Sequence, residues 1–275
     1  MKIKVTILVD NRAAEGLLAE HGLSLWIETG KERILFDTGM GGALASNADT
    51  LGVDLGLTDI LVLSHGHFDH TGGVCRVLEN SQNVAVYCNP AVMKNRYVIR
   101  DGKARQINIQ PDSMKAVLNL PPQNINWISQ TLLINENIGI VCPIPRATSY
   151  EDTGGAFYLD PQGLYEDLID DDLALWIKTK KGLVVFVGCC HSGLINILNH
   201  ISRLNKGQKI LSVIGGFHLL HADKKRIDMT ISALQSFLPI DLHPCHCTGD
   251  DAMKELKTAF EDHVKPGYAG AKYSF

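Results

Sequence analysis

The hexapeptide His65-Gly66-His67-Phe68-Asp69-His70 gathers three imidazoles and one carboxylate within six residues. These are donor types that Zn²⁺ accepts readily, and Mn²⁺ or Fe takes the same set. Asp59–Ser64, immediately before it, is a short continuous apolar run that reads as a strand buried on both faces. Alternation aims His65 and His67 to one side, while Asp69 and His70 point elsewhere as the chain turns. Such a loop can serve two ions about 3.5–4 Å apart. Surface histidines holding no ion are the plain alternative, but packing alone has no use for four such groups at a strand end.

One loop cannot close two coordination spheres, so further ligands are expected from distant strand ends. Two stretches repeat the order of apolar strand, tight loop and histidine: Val185–Gly193 with His191, and His243–Gly249 with His246. His218 follows the apolar run Ile210–Ile214 and Gly215-Gly216. It reads as a proton donor or oxyanion partner in the site, or else as a structural hydrogen-bonder; His221 reads as peripheral. Cys189-Cys190 and Cys245-His246-Cys247 fit neither ferredoxin spacings nor a C-x-x-C pair. They read as small buried residues shaping the loops, with one of them as a metal ligand in the other reading.

These side chains need elements to hold them. The chain has 275 residues, 45% hydrophobic and 20% charged, which suits a soluble globular protein with a sizeable core. A formal net charge of −4 gives no electrostatic case for nucleic acid or an anionic membrane as partner. No apolar run approaches the roughly 18–20 residues of a membrane span. Met1–Asp10 reads as an opening strand rather than an export signal, so a cytoplasmic location with seven reduced cysteines is expected. Strands are expected at Ile3–Val9, Leu23–Glu28, Ile34–Asp37, Asn83–Cys88, Leu173–Thr179, Leu183–Val187, Ile210–Ile214 and Ile240–Pro244. Helices are expected from Thr71–Gly73 through Leu78, and at Leu194–Leu204, Ile227–Phe237 and Ala252–Phe260. The whole of 1–275 reads as one layered α/β domain. Residues 91–145, proline-bearing and weakly periodic, read as an inserted subregion that could cover a site. Within it, Lys94, Arg96, Arg100, Lys103, Arg105 and Lys115 face only Asp101 and Asp112 over 91–115; this is a solvated face or a clamp for phosphate or carboxylate. Asp170-Asp171-Asp172 reads as a turn, with Asp172 an outlying ligand candidate.

The ordered set Asp37-Thr38-Gly39, His65-x-His67-x-Asp69-His70, His191 and His246 resembles the metallo-β-lactamase superfamily over nearly the whole chain, with 91–145 its least typical part. Gly22-Leu23-Ser24, Leu35–Gly39, Ser64–Gly73, Gly188–Gly193, Gly215–Leu219 and Pro244–Gly249 are similar to one branch of it. That branch is labelled 7,8-dihydropterin-6-methyl-4-(β-D-ribofuranosyl)aminobenzene-5′-phosphate synthase. The resemblance implies a four-layer αββα sandwich with metal at its sheet edge. It implies His65, His67 and His191 on one ion, Asp69, His70 and His246 on a second, and Asp37 behind them orienting the loop. One or two divalent ions follow, Zn²⁺ foremost. The superfamily's bridging Asp is replaced here by Gly188-Cys189-Cys190, so Cys189 stands in as a thiolate, His191 takes over locally, or the second ion binds weakly.

The expected function is that of a metal-dependent hydrolase or related synthase or lyase acting on a small anionic substrate, phosphorylated or pterin-like. Asp69 would orient the attacking water and His218 would protonate the leaving group. A non-catalytic metal-binding sensor or partner module on the same fold is the alternative, and a di-iron electron carrier using the nearby cysteines a third.

Overall fold

The continuous apolar runs become the central strands of two large sheets. In the computed structural model, which describes residues 2–81 and 83–275, the chain's contacts gather in two units. The first comprises Met1–Ser129, Phe157–Asp167 and Tyr268–Phe275, and the second Gln130–Ala156 and Leu168–Gly267. No described helix is long and apolar enough to cross a membrane.

The first unit holds a seven-stranded sheet in the order Lys272–Ser274, Lys4–Val9, Ser24–Glu28, Arg33–Phe36, Ile60–Val62, Ala85–Cys88, Ile125–Trp127. The strands from Lys272–Ser274 to Arg33–Phe36 pair antiparallel, and those from Arg33–Phe36 onward run parallel. Asp59 fixes where the second parallel strand begins, accepting hydrogen bonds from the Arg33 backbone N, Nε and Nη2. The helices Leu44–Leu51, Val74–Asn80 and Pro111–Leu118 lay Leu44, Ala48, Val74, Val77 and Val117 on Leu8, Trp26, Leu35, Leu61 and Val86. The alternate residues Ile7, Ile27, Phe36 and Val62 are equally buried, which is why these strands read as unbroken apolar runs. Each such side chain contributes about 1.5–3 kcal/mol. A separate antiparallel sheet joins Phe157–Tyr158, Tyr97–Arg100 and Lys103–Gln106.

The second unit holds a six-stranded sheet in the order Asp241–Cys245, Ile210–Gly216, Leu183–Val187, Ala174–Lys178, Ile138–Val141, Leu132–Asn135. Ala174–Lys178 and Leu183–Val187 form an antiparallel hairpin. Leu183–Val187, Ile210–Gly216 and Asp241–Cys245 then run parallel, linked by the helices Leu194–Leu204 and Lys224–Leu234. Those helices and Asp250–Phe260 pack Leu194, Leu198, Ile227, Leu256 and Phe260 on Val185, Val187, Val213 and Leu242. Residues 91–145 divide between the two units, since Leu132–Asn135 and Ile138–Val141 extend the second sheet.

Three of the four expected helices differ in their bounds, and Leu44–Leu51 and Pro111–Leu118 are helices that the sequence reading lacks. The helix expected through Leu78 is two pieces, Phe68–Thr71 and Val74–Asn80, because the backbone at Gly72 runs against the Met40 carbonyl too closely for any side chain. Lys224–Leu234 begins three residues early because the Asp223 side chain accepts from Arg226 N and caps it. Asp250–Phe260 likewise starts on the acidic pair Asp250-Asp251, which apolar periodicity does not register.

Candidate metal centre

Both units put chemistry-bearing side chains at the carboxyl ends of adjacent parallel strands. In the first, Asp37 follows Arg33–Phe36, and the loop Ser64–His70 follows Ile60–Val62. His65 and His70 are fully buried, and Asp37 is the hub behind them. Its Oδ1 accepts from Ser64 N (2.7 Å), and its Oδ2 accepts from Ser64 Oγ (2.7 Å) and lies 2.7 Å from His70 Nδ1. A carboxylate only accepts, so His70 Nδ1 carries the proton and Nε2 keeps its lone pair. The Ser64 hydroxyl proton is already given to Asp37, so His65 Nδ1, 2.9 Å from Ser64 Oγ, is the donor of that pair and His65 Nε2 also keeps a lone pair. The ring centroids of His67 and His70 lie 4.6 and 4.3 Å from that of His65.

The loop is strapped from outside. The His70 carbonyl accepts from Thr38 N and Oγ1, and Thr71 Oγ1 donates to the His67 carbonyl. Gly66 passes so near the Val92 carbonyl that a Cβ would sit 2.4 Å from its oxygen. Asp69 is buried, with its Oδ2 3.1 Å from His21 Nε2 and 3.9 Å from His70 Nε2.

In the second unit three loops at three strand ends supply the groups. After Leu183–Val187 come Cys189, Cys190 and His191; after Ile210–Gly216 comes His218; after Asp241–Cys245 come His246 and Cys247. The His191 ring lies 4.3 Å from the His218 ring. Cys189 Sγ, a His218 nitrogen and Cys247 Sγ all fall within 4.8 Å of one another. His191 Nδ1 is 2.7 Å from the Thr153 carbonyl, which only accepts, so His191 also presents a lone pair at Nε2. That carbonyl belongs to a strap, 146–154, tied down by several bonds. Glu151 accepts from Ile195 N and Asn196 N at the head of the helix Leu194–Leu204, and Asn196 Oδ1 accepts from Ala147 N and Thr148 N. Arg226 pairs with Asp152, and Arg146 Nη1 donates to the His191 carbonyl at 2.6 Å. Asp172, inside the acidic triplet, is buried and accepts from Ser192 N at 2.7 Å.

The electrostatics of the second cluster favour a thiolate. Burial alone would raise the Cys247 thiol, but a hydrogen bond with Cys189 and the imidazoles of His218 and His246 hold it well below the ordinary range. Burial depresses His218, yet Cys247 beside it outweighs that and keeps the imidazole above its usual value. Burial pushes Cys190 well up, leaving a neutral thiol. Burial also lifts the Asp172 carboxyl to about 6 and lowers His243, whose Nδ1 lies 3.3 Å from the Lys265 carbonyl, to about 4.

Asp37, Cys190, His218 and His246 adopt positive φ of 59°, 59°, 48° and 51°. Left-handed backbone at a non-glycine residue costs about 1–3 kcal/mol, and such residues concentrate where strain serves a site. Gly154 makes room for one of them: a Cβ there would lie 1.8 Å from His218 Cδ2.

The donor set fits divalent metal. His65 Nε2 and His67 Nδ1 are 3.0 Å apart, close to the edge of about 3.3 Å expected between two nitrogens bound near 2.0–2.1 Å to one tetrahedral ion. The backing of His65, His70 and His191 by hydroxyl, carboxylate and carbonyl is the outer support that metal-binding histidines use.

Several supporting groups carry no signal in the sequence. His21 is an isolated histidine, and the strap acts through a backbone carbonyl and a remote helix cap. Of the six cations in 91–115, Arg96 is fully buried, with Nε 3.0 Å from Asp167 Oδ2 and Nη2 donating to the Ala91 carbonyl, so it belongs to the core.

The family model of the metallo-beta-lactamase superfamily matches residues 18–150, and the likeness to relatives runs nearly end to end; the chain belongs to that superfamily. It is 30% identical over 284 aligned residues to the 7,8-dihydropterin-6-methyl-4-(beta-D-ribofuranosyl)-aminobenzene-5'-phosphate synthase of Methanocaldococcus jannaschii, covering 94% of this chain and 93% of that one. It is also 31% identical to an uncharacterized protein of the same organism, over 92% of this chain and 93% of the relative. Among solved structures it superposes on a metal-dependent hydrolase of the beta-lactamase superfamily with a TM-score of 0.83 and 28% identity, covering 98% of both chains. The α/β fold expected from the motifs is therefore the metallo-β-lactamase fold.

Proposed function

We propose that the protein is a metal-dependent enzyme of hydrolase type, or a synthase using the same centre, acting on a small anionic substrate that is phosphorylated or pterin-like. The observation that carries this reading is the trio of buried imidazoles His65, His67 and His70, two of them backed by Asp37 so that their lone pairs stay available. The substrate class is supported by the pterin and phosphate named for the methanogen relative, and the hydrolase type by the name of the structural neighbour.

In this reading His65, His67 and His191 would hold one divalent ion, and Asp69, His70 and His246 a second, with Cys189 as a further candidate ligand. Zn²⁺ is the first choice for this donor set, with Mn²⁺ or Fe as other occupants. Bound there, the metal supplies Lewis acidity that lowers the pKa of water and polarises the substrate's electrophilic centre. Asp69, steadied by His21, orients the attacking water, and His218 gives a proton to the leaving group. Asp37 fixes the imidazole tautomers. All seven cysteines are free thiols, which supports a reducing, cytoplasmic setting.

The test is elemental analysis of the purified protein, followed by turnover of 4-nitrophenyl phosphate, bis(4-nitrophenyl) phosphate and 4-nitrophenyl acetate with Zn²⁺ or Mn²⁺. His67→Ala is expected to lose at least one ion and most turnover. Unchanged metal stoichiometry in that variant overturns the ligand set, and no turnover of any probe with either metal overturns the hydrolytic reading.

A further inference from the structure

The small sheet of the first unit has two unlike faces. Phe157, Val98 and Arg105 lie directly opposite one another across its three strands, and Arg100 pairs with Lys103 two positions along. Side chains alternate, so Phe157, Val98, Arg105, Arg100 and Lys103 share one face, while Tyr158, Tyr97, Gln106, Ile99 and Ala104 share the other. The second face is occupied by its own chain, since Gly163 sits against Ile99 and Tyr158.

The first face addresses the histidine loop. The Phe157 ring centroid is 5.2 Å from that of His67, and the Arg105 guanidinium lies 5.4 Å above the Phe68 ring. The sheet is fastened there by Phe68 N donating to the Ile107 carbonyl at 3.0 Å and by a bridge between His67 and Asn108. Arg100, Lys103 and Arg105 are exposed, with Asp101 the one acid among the residues 97–106, whereas Phe157, Val98 and Phe68 are half-buried. An aromatic step beside His67 thus leads to a cationic step two strand spacings away, about 9.6 Å.

We infer that this face selects the substrate: it holds an aryl or heteroaryl phosphate monoester, the ring lying along Phe157 and the phosphate taken by Arg105 with Arg100 and Lys103. The inference rests on the metal-centre reading for what happens at His67, and adds which molecules are brought there. Arg105 leads because a guanidinium offers a planar fork of donors to phosphate oxygens, and stacking on Phe68 holds that fork in place.

Binding of 2-naphthyl phosphate, 2-naphthol and inorganic phosphate is measured by calorimetry on the full chain, both metal-loaded and chelator-treated. Arg105→Gln, on an exposed side chain, is expected to weaken 2-naphthyl phosphate about tenfold or more with metal content unchanged, and to leave 2-naphthol unaffected. Arg100→Gln with Lys103→Gln is expected to cost less, through added salt sensitivity. Phe157→Leu is expected to weaken both naphthyl probes and spare inorganic phosphate. No binding of 2-naphthyl phosphate by the parent, or a Kd within twofold of the parent for Arg105→Gln and the double variant, overturns the proposal. The chelator-treated arm separates the two readings: Arg105 dependence that persists without turnover strikes the hydrolase reading alone, and turnover with an Arg105-independent Kd strikes this one alone.

Discussion

The two units reach the same end, buried imidazoles at the tips of parallel strands, by different means. The first uses one contiguous loop and one carboxylate: Asp37 alone answers Ser64 N, Ser64 Oγ and His70 Nδ1. The second draws on three loops, adds thiols beside the imidazoles, and spreads its support over Thr153, Glu151, Asn196, Arg146 and Asp172. A concentrated support is economical in residues but fails as a unit; a distributed one loses geometry in steps.

The sharpest way to break that contrast is Asp37→Ala. It strands three buried donors at about 1–3 kcal/mol each, so several kcal/mol of stability and most of the bound metal are expected to disappear together in thermal denaturation and elemental analysis. Retention of full metal would show that the hub is dispensable. In the second unit Glu151→Ala uncaps one helix and frees the strap, with an expected loss of about 1–2 kcal/mol and only partial loss of metal. A collapse as severe as that of Asp37→Ala would erase the distinction.

The thiols offer a spectroscopic probe of the same difference. Co²⁺-loaded protein is expected to show a near-ultraviolet sulfur-to-metal charge-transfer band that weakens in Cys189→Ser, since the stretch 65–70 itself contains no cysteine. A parent spectrum without that band would reduce the second cluster to nitrogen and oxygen donors.

The smallest effects concern pH, and two groups of the second unit oppose each other. His243 is held near 4, so between about 6.5 and 4 the unfolded chain takes a proton that the folded one refuses; its stabilisation is full above 6.5 and lost on acidification. Asp172, raised to about 6, works the other way: its contribution is full below about 3.9 and lost as pH rises through 6. His243→Gln is therefore expected to lessen the fall in Tm between pH 7 and pH 4.5, and Asp172→Asn to steepen it, each by a few degrees. Superimposable pH profiles would remove both groups from the account.

How far the molecule was legible follows the same division. The helix Leu194–Leu204 and the strand Leu183–Val187 were readable to the residue, because apolar side chains at period 3.6 or in unbroken runs record burial directly. The histidine loop announced itself through four side chains in six positions. What stayed hidden acts without a residue-type signature: the Thr153 carbonyl could belong to any amino acid, and Glu151 caps a helix that begins more than forty residues later. Arg96 looked like one more surface cation, because a charge count does not record an aspartate seventy-one residues away that neutralises it in the core.

The chain's route has a consequence for its biogenesis. The first unit is sewn from three stretches, and its outermost strand, Lys272–Ser274, pairs with Lys4–Val9. During synthesis Lys4–Val9 therefore lacks that neighbour until a strand far along the chain has been made, and Arg96 waits for Asp167. The second unit needs no segment beyond Gly267. Removing residues 268–275 should therefore injure the unit that holds Lys4–Val9 more than the one that holds Asp241–Cys245.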